Sequence, residues 1–199
     1  ARTPAGARLP SPAPPDIPMN DRPLPFPDRS FLSLRTLPRA DWNRLLEDAE
    51  TLRGPRGREP LLRGRRFGMV FYNSSLRTRT SFEVASFDLG AHAVYLQVGG
   101  GLWQLEHRDG IVMDGDAAEH VKEGVGVLSR LVDALGVRTF AALKDATEDA
   151  REPVITAFAR AASVPVLNLE SAMDHPHQGL ADALTLRNRW KGAKGRVVV

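Results

Sequence analysis

The sequence predicts an α/β fold, a parallel sheet flanked by helices, followed by the first strand of a second α/β domain. Three observations predict it. Short apolar runs alternate with amphipathic stretches between residues 67 and 189, which is the pattern of βαβ units. Each run suits a buried strand, and each amphipathic stretch is long enough for a crossover helix. The composition, 42% hydrophobic and 26% charged over 199 residues, is that of a globular chain with a sizeable core.

The elements follow in order. Residues 1–27 hold nine of the fifteen prolines, so residues 1–28 read as a disordered tail that cannot form a helix or a central strand. The first methionine is Met19, so the residues before it read as an upstream extension or a start-site error. Residues 38–52 predict a helix, with Trp42, Leu45, Leu46 and Ala49 at helical spacing and Gly54-Pro55 as its stop. Residues 67–72 (FGMVFY) predict a buried strand and 77–89 a helix with Phe82, Ala85 and Leu89 on one face. A second strand follows at 91–96, then a long glycine-containing loop over 97–115. The same reasoning gives a helix at 117–131, a strand at 134–140, a helix at 148–161, a strand at 164–169 and a helix at 178–189. Residues 29–190 form one domain in this reading. Residues 191–199 are a linker and the start of another, because the apolar run 196–199 needs strand neighbours on both sides.

Composition narrows the function classes. There is no cysteine, which excludes disulfides, thiolate metal sites and a cysteine nucleophile. No apolar run approaches the roughly 20 residues of a membrane-spanning helix, and the proline-rich start lacks the apolar segment of a secretory signal. A cytoplasmic enzyme is the expectation. The net charge of +3 is local in origin: residues 53–66 carry six arginines against the one acid Glu59. Such a run can bind nucleic acid. No aromatic residue interrupts it before Phe67, so a solvated loop is the preferred reading and no nucleic-acid partner is expected.

In an open parallel sheet, ligands bind beyond the carboxyl ends of the strands. The loop after the first strand, Asn73-Ser74-Ser75-Leu76-Arg77-Thr78-Arg79-Thr80, packs hydroxyls and two guanidinium groups at a strand-to-helix turn. A helix N-terminus offers unpaired N–H groups and a positive dipole end, and arginines add bidentate donors, so this loop suits a phosphate. It has neither the glycines nor the lysine of a Walker loop. The bland alternative is Ser75 as a simple N-cap with solvated arginines. After the fourth strand stand Glu170 and then Asp174-His175-Pro176-His177-Gln178. Two histidines at i, i+2 without an acidic third ligand at a recognisable spacing argue against a metal. A histidine aimed at a carbonyl oxygen is the preferred use.

Ser-x-Arg-Thr-Arg followed about 100 residues later by His-Pro-x-Gln-x-x-Ala-Asp resembles the aspartate/ornithine carbamoyltransferase superfamily. The resemblance runs from about Phe31 to Val199. It implies that Ser75, Leu76, Arg77 and Thr78 bind the phosphate of carbamoyl phosphate. It implies that His175 and Gln178 hold the carbamoyl group, and that Arg138 contacts phosphate and carbonyl oxygen together. Arg138, His175 and Thr78 are the catalytic candidates it implies, with no metal and no other cofactor. It further implies that most of the amine-substrate site belongs to a second domain, beyond Val199.

Leu76 departs from the threonine of the ordinary ornithine and aspartate enzymes. With Trp103 in Leu102-Trp103-Gln104-Leu105-Glu106 and the segment Val112-Met113-Asp114-Gly115-Asp116, it resembles the N-acylornithine branch. Membership there implies a homotrimer in which Trp103 reaches a neighbour's carbamoyl phosphate site, and Glu170 meeting the acylornithine. An indole on a glycine-rich loop is also difficult to bury within one domain, with local packing as the alternative. Ala118 stands where acetyl-type members have glutamate and succinyl-type members proline. Alanine neither fills that space nor repels a second carboxylate, so N-succinylornithine is favoured over N-acetylornithine. The spacing from Glu170 to His175 also resembles the succinyl type. Ordinary ornithine carbamoyl transfer and a non-catalytic, truncated anion-binding domain are the alternatives.

Overall fold

The computed structural model describes residues 30–53, 60–99 and 103–190. The proline-rich segment, residues 54–59 of the arginine-rich run and the expected strand at 196–199 lie outside the described residues. Helix α1 (Arg39–Leu52) leads to strand β1 (Arg66–Phe71), helix α2 (Leu76–Asp88) and strand β2 (His92–Gln97). The two-residue strands β3 (Leu105–Glu106) and β4 (Glu119–His120) precede helix α3 (Val121–Leu131). Then come β5 (Ala134–Arg138), the short α4 (Ala146–Ala150), α5 (Pro153–Ala161), β6 (Val166–Glu170) and α6 (Pro176–Arg189).

The main sheet is parallel throughout, in the order β2-β1-β5-β6. Strand side chains alternate between its faces. Val70, Leu135, Val137 and Val166 join Val121, Val125, Ile155 and Phe158 in one core, beneath α3 and α5. Met69, Phe71 and Leu169 form the other with Phe82 of α2. All three are fully buried, each stabilising the fold by about 2 kcal/mol. Helix α6 packs on β6, and α1 packs on α6. Gly136 allows two large side chains to cross β5: a Cβ there would stand 2.7 Å from both Leu169 and Phe67. Beyond β6, Phe31 N donates to Val166 O at 2.7 Å, and Asn168 N donates to Phe31 O at 2.9 Å. This covers a sheet edge that would otherwise be open.

Most strand limits shift by one or two residues from the expectation, and two differences are larger. The loop expected over 97–115 contains β3, which pairs with β4 through Leu105↔Glu119 and Glu106↔His120. The helix expected from 117 therefore starts at Val121, where the His120 ring accepts from Lys122 N. Pairing with a distant segment wins over the helical preference of Ala117-Ala118-Glu119. The helix expected over 148–161 is broken into α4 and α5 at Arg151 and Glu152. Glu152 takes a left-handed φ of 51° there, and Pro153 opens α5.

Leaving β1, the chain turns to β2 on one side and later returns to β5 on the other. The carboxyl ends of β1 and β5 therefore frame the point where the direction of winding reverses. That is where an open α/β sheet forms its ligand crevice. Arg65 and Arg66 of the basic run lie at the opposite end, where they pair with Asp133 at 3.1 and 3.3 Å.

Candidate active site

Strand register assembles the site. Phe71 of β1, Arg138 of β5 and Glu170 of β6 occupy one row at the carboxyl edge of the sheet. An irregularity between Val137 and Arg138 shifts the β5–β6 pairing there, the kind of feature that re-aims a strand side chain. The Arg138 side chain is only 8% exposed. Its Nη1 donates to the carbonyls of Asn73 and Ser74 at 2.9 and 3.1 Å. Its Nη2 donates to Glu170 Oε2 at 2.8 Å. Its Nε is buried and has no partner among the described residues. Asn73 completes the stitch between the two loops, accepting from Phe140 N through Oδ1 at 2.8 Å.

The β1–α2 loop is capped as the sequence suggests: Ser75 Oγ accepts from Thr78 N at 3.2 Å. The cap leaves first-turn N–H groups of α2, including those of Leu76 and Arg77, without intrahelical partners. Arg77 is exposed. Its side chain makes no ion pair or hydrogen bond among the described residues, so its guanidinium is available to an anion. Arg79 is committed elsewhere, donating to Glu83 at 2.9 Å and stacking its guanidinium 3.7 Å from the centre of the Tyr95 ring. Leu76 is 81% exposed beside the loop.

The β6–α6 loop brings His175 to the same rim, with Nε2 3.8 Å from Glu170 Oε2. Pro176 opens α6, and the amide of Gln178 points at His175 Nδ1 at 3.4 Å. Glu170 thus stands between Arg138 and His175. Gln178 is less involved: its side chain is exposed and donates to Asp182, one turn along α6, at 2.8 Å. The two histidines diverge. His177 is packed edge-on between Phe31 and Phe82, its ring nitrogen 3.0 Å from Asn168 O. Among the described residues no group of three His, Cys, Asp or Glu is placed to hold a metal.

Burial pushes the His177 imidazole down to about 4. Unfolded, the same group titrates near 6.5. Between these values the unfolded chain binds a proton that the folded chain refuses. The stabilisation is therefore complete above pH ~6.5 and is lost as the pH falls through 4, by about 3 kcal/mol in all. Urea titrations at pH 7 and pH 4.5 should show His177→Phe reducing the loss of stability between them. An unchanged pH slope would contradict the assignment.

Trp103 and Ala118 lie away from this row in sequence and in the sheet. The expectation that the indole lacks a local seat is corrected. Trp103 packs against the α3-side core, and its Nε1 donates to Glu119 Oε2 at 2.7 Å. Gly124 of α3 lies against this seat: a Cβ there would stand 3.1 Å from Leu105 and in ordinary contact with the ring at 3.4 Å. The β3–β4 pairing that creates this seat is invisible to periodicity. Ala118 is exposed just before β4. Sequence reasoning missed Asn73 as a tie, although it stands in the quoted loop, and it missed Asp149 and Glu152. Asp149 Oδ1 and Oδ2 accept from Ala142 N and Leu143 N, beyond Arg138. Glu152 Oε1 accepts from Ser171 Oγ and Met173 N, between Glu170 and His175. Pro153 was the available signal, because proline favours the first position of a helix.

Comparison with known proteins identifies the family. The N-acetylornithine carbamoyltransferase of Xanthomonas campestris pv. campestris is 43% identical over 163 residues, covering 81% of this chain and 47% of the relative. The N-succinylornithine carbamoyltransferase of Bacteroides thetaiotaomicron is 39% identical over 131 residues, covering 66% and 41%. The crystal structure of acetylornithine transcarbamylase complexed with acetylcitrulline superimposes with a TM-score of 0.76 at 42% identity, covering 80% of this chain and 47% of that one. The chain thus spans less than half the length of the curated relatives it matches. Residues 29–188 match the family model described as aspartate/ornithine carbamoyltransferase, carbamoyl-P binding domain. The chain belongs to that family, in its N-acylornithine branch.

Proposed function

We propose that this chain binds carbamoyl phosphate in the β1/β5 crevice and serves the transfer of its carbamoyl group to the side-chain amine of an N-acylornithine. The products are an N-acylcitrulline and phosphate, in arginine biosynthesis. The observation that supports this most is Arg138. It is a buried guanidinium tied to the phosphate-loop carbonyls on one side and to Glu170 beside His175 on the other.

The α2 N-terminus and the hydroxyls of Ser75 and Thr78, with Arg77, take the phosphate. The neutral amine attacks the carbonyl carbon, and phosphate leaves as the C–O bond breaks, carrying away the proton that the amine gives up. Arg138, His175 and Thr78 stabilise charge growing on the carbonyl oxygen. Gln178 reaches the carbamoyl nitrogen by leaving Asp182, a change of rotamer at an exposed position. Holding two reactants in contact supplies much of the acceleration, so the reaction needs no metal, redox cofactor or covalent intermediate. The enzyme works in the cytoplasm as a homotrimer, with neither nucleic acid nor membrane as partner. Trp103 of one subunit serves its neighbour's site on release from its bond to Glu119, and Glu170 meets the acylornithine.

Succinyl preference rests on Ala118, which adds neither bulk nor negative charge. In the full-length enzyme Ala118→Glu should move kcat/KM from N-succinylornithine toward N-acetylornithine. Two carboxylates about 4 Å apart repel by roughly 1 kcal/mol in water and more when desolvated, enough for a tenfold switch. Assays of wild type and variant with acetyl-, succinyl- and free ornithine test the whole reading. An unchanged ratio removes the succinyl preference. Turnover of free ornithine alone makes the protein an ordinary ornithine enzyme, and no turnover leaves an anion-binding domain.

A further inference from the structure

The turn from α4 to α5 presents one carboxylate to each of the two loops that carry the β5 and β6 site residues. Asp149 accepts from Ala142 N at 2.8 Å and from Leu143 N at 2.9 Å. Three residues on, Glu152 Oε1 accepts from Ser171 Oγ and from Met173 N, each at 2.6 Å. Asn168 Nδ2 donates to the same Ser171 hydroxyl at 2.7 Å. The opposite side of the second loop is held by Asp174, which accepts from Ser33 Oγ and Leu34 N. Glu152 N also donates to Asp149 O at 3.0 Å, closing the turn that carries both carboxylates.

Backbone strain singles out this unit. Among the described residues only two non-glycine residues have positive φ, Leu143 at 58° and Glu152 at 51°. One receives the Asp149 bonds and the other supplies the second carboxylate. The Leu143 side chain is 88% exposed, so packing does not account for its backbone conformation. Strained residues persist where their surroundings over-determine them, and they gather at sites that must be held in one geometry. Here the surroundings are the two rim loops.

We propose that the Asp149–Glu152 turn is a clamp that fixes the β5 and β6 loops relative to each other, with Glu152 as the positioning residue for Glu170 and His175. It touches no substrate. It sets the length and path of the loop 171–174, whose two ends are those residues. This rests on the carbamoyl phosphate reading above for its consequence, although the geometry stands by itself.

The test uses the full chain with Glu152→Ala, Glu152→Gly and Glu152→Gln. Alanine and glycine remove the acceptor, and glycine also relieves the left-handed backbone. Glutamine keeps Oε1. Calorimetric titration with carbamoyl phosphate should show affinity falling about tenfold or more in the alanine and glycine variants, since small displacements of binding groups are costly. Glutamine should restore it. Histidine NMR without ligand gives an independent reading: the His175 ring signals should move in the alanine and glycine variants and not in glutamine, while those of His107 and His120 stay. Wild-type affinity and an unmoved His175 signal in Glu152→Ala would overturn the proposal, as would movement of all the histidine signals together. Failure of the wild-type chain to bind carbamoyl phosphate would instead count against the proposed function, and the His175 signal would still decide the clamp.

Discussion

Arg77→Ala should abolish measurable carbamoyl phosphate binding while leaving the fold and its thermal midpoint in place. Arg77 sits in the first turn of α2, exposed and with a side chain that makes no ion pair or hydrogen bond among the described residues. Alanine is a better helix former, so the helix itself loses nothing. The bound phosphate loses a charge-assisted, bidentate contact, which costs about 2–4 kcal/mol or roughly 30- to 1000-fold in affinity. Calorimetry paired with a thermal melt measures both halves. Wild-type-like binding would remove Arg77 from the site. A large fall in midpoint would show that the arginine holds the fold.

Arg138→Met should give the opposite combination, losing binding and stability together. The arginine is nearly buried, and three groups depend on it: the carbonyls of Asn73 and Ser74 and the carboxylate of Glu170. Breaking a fully buried pair costs several kcal/mol. Glu170 keeps 29% of its side chain exposed, so water recovers part of that, and about 3 kcal/mol is the expected loss. For a domain of this size that lowers the melting midpoint by roughly 6–12 °C. Arg138→Lys should not rescue it, because one ammonium lacks the planar fork that reaches two carbonyls and a carboxylate. An unchanged midpoint in Arg138→Met would mean that these bonds do not hold the crevice together.

The two arginines show what the sequence could and could not express. The place of Arg77 in the first turn of α2 was legible because its surroundings are local: Ser75 caps the helix that carries it, and the apolar run before it ends within one residue of β1. Arg79, two residues on, looks equivalent in the sequence. Only the packing of α2 on β2 shows that it stacks on Tyr95 as well as pairing with Glu83, four residues along its own helix. The direction of Arg138 depends on register with β1 and β6 and on the irregularity beside Val137. Neither leaves a mark in a single strand. Two-residue strands are too short to carry a period, so β3 and β4 were missed, and with them the seat of Trp103. The break at Glu152 was different. Pro153 marked a helix start, but the acidic stretch before it continued the helical pattern and concealed the turn.

The most direct test of the anion site is an NMR titration of the chain with carbamoyl phosphate, observing backbone amides and arginine Nε–H groups. The buried Arg138 Nε, unpartnered among the described residues, and the amides of Leu76, Arg77 and Thr78 should shift together and saturate with one affinity. The same titration of Arg77→Ala should leave them still. The contradictory result is equally specific. Resonances of Arg138 and the α2 N-terminus would stay in place, while shifts gathered in the cationic groove of about 510 Å³ between α3 and α5, among His107, His120, Lys122 and Arg160.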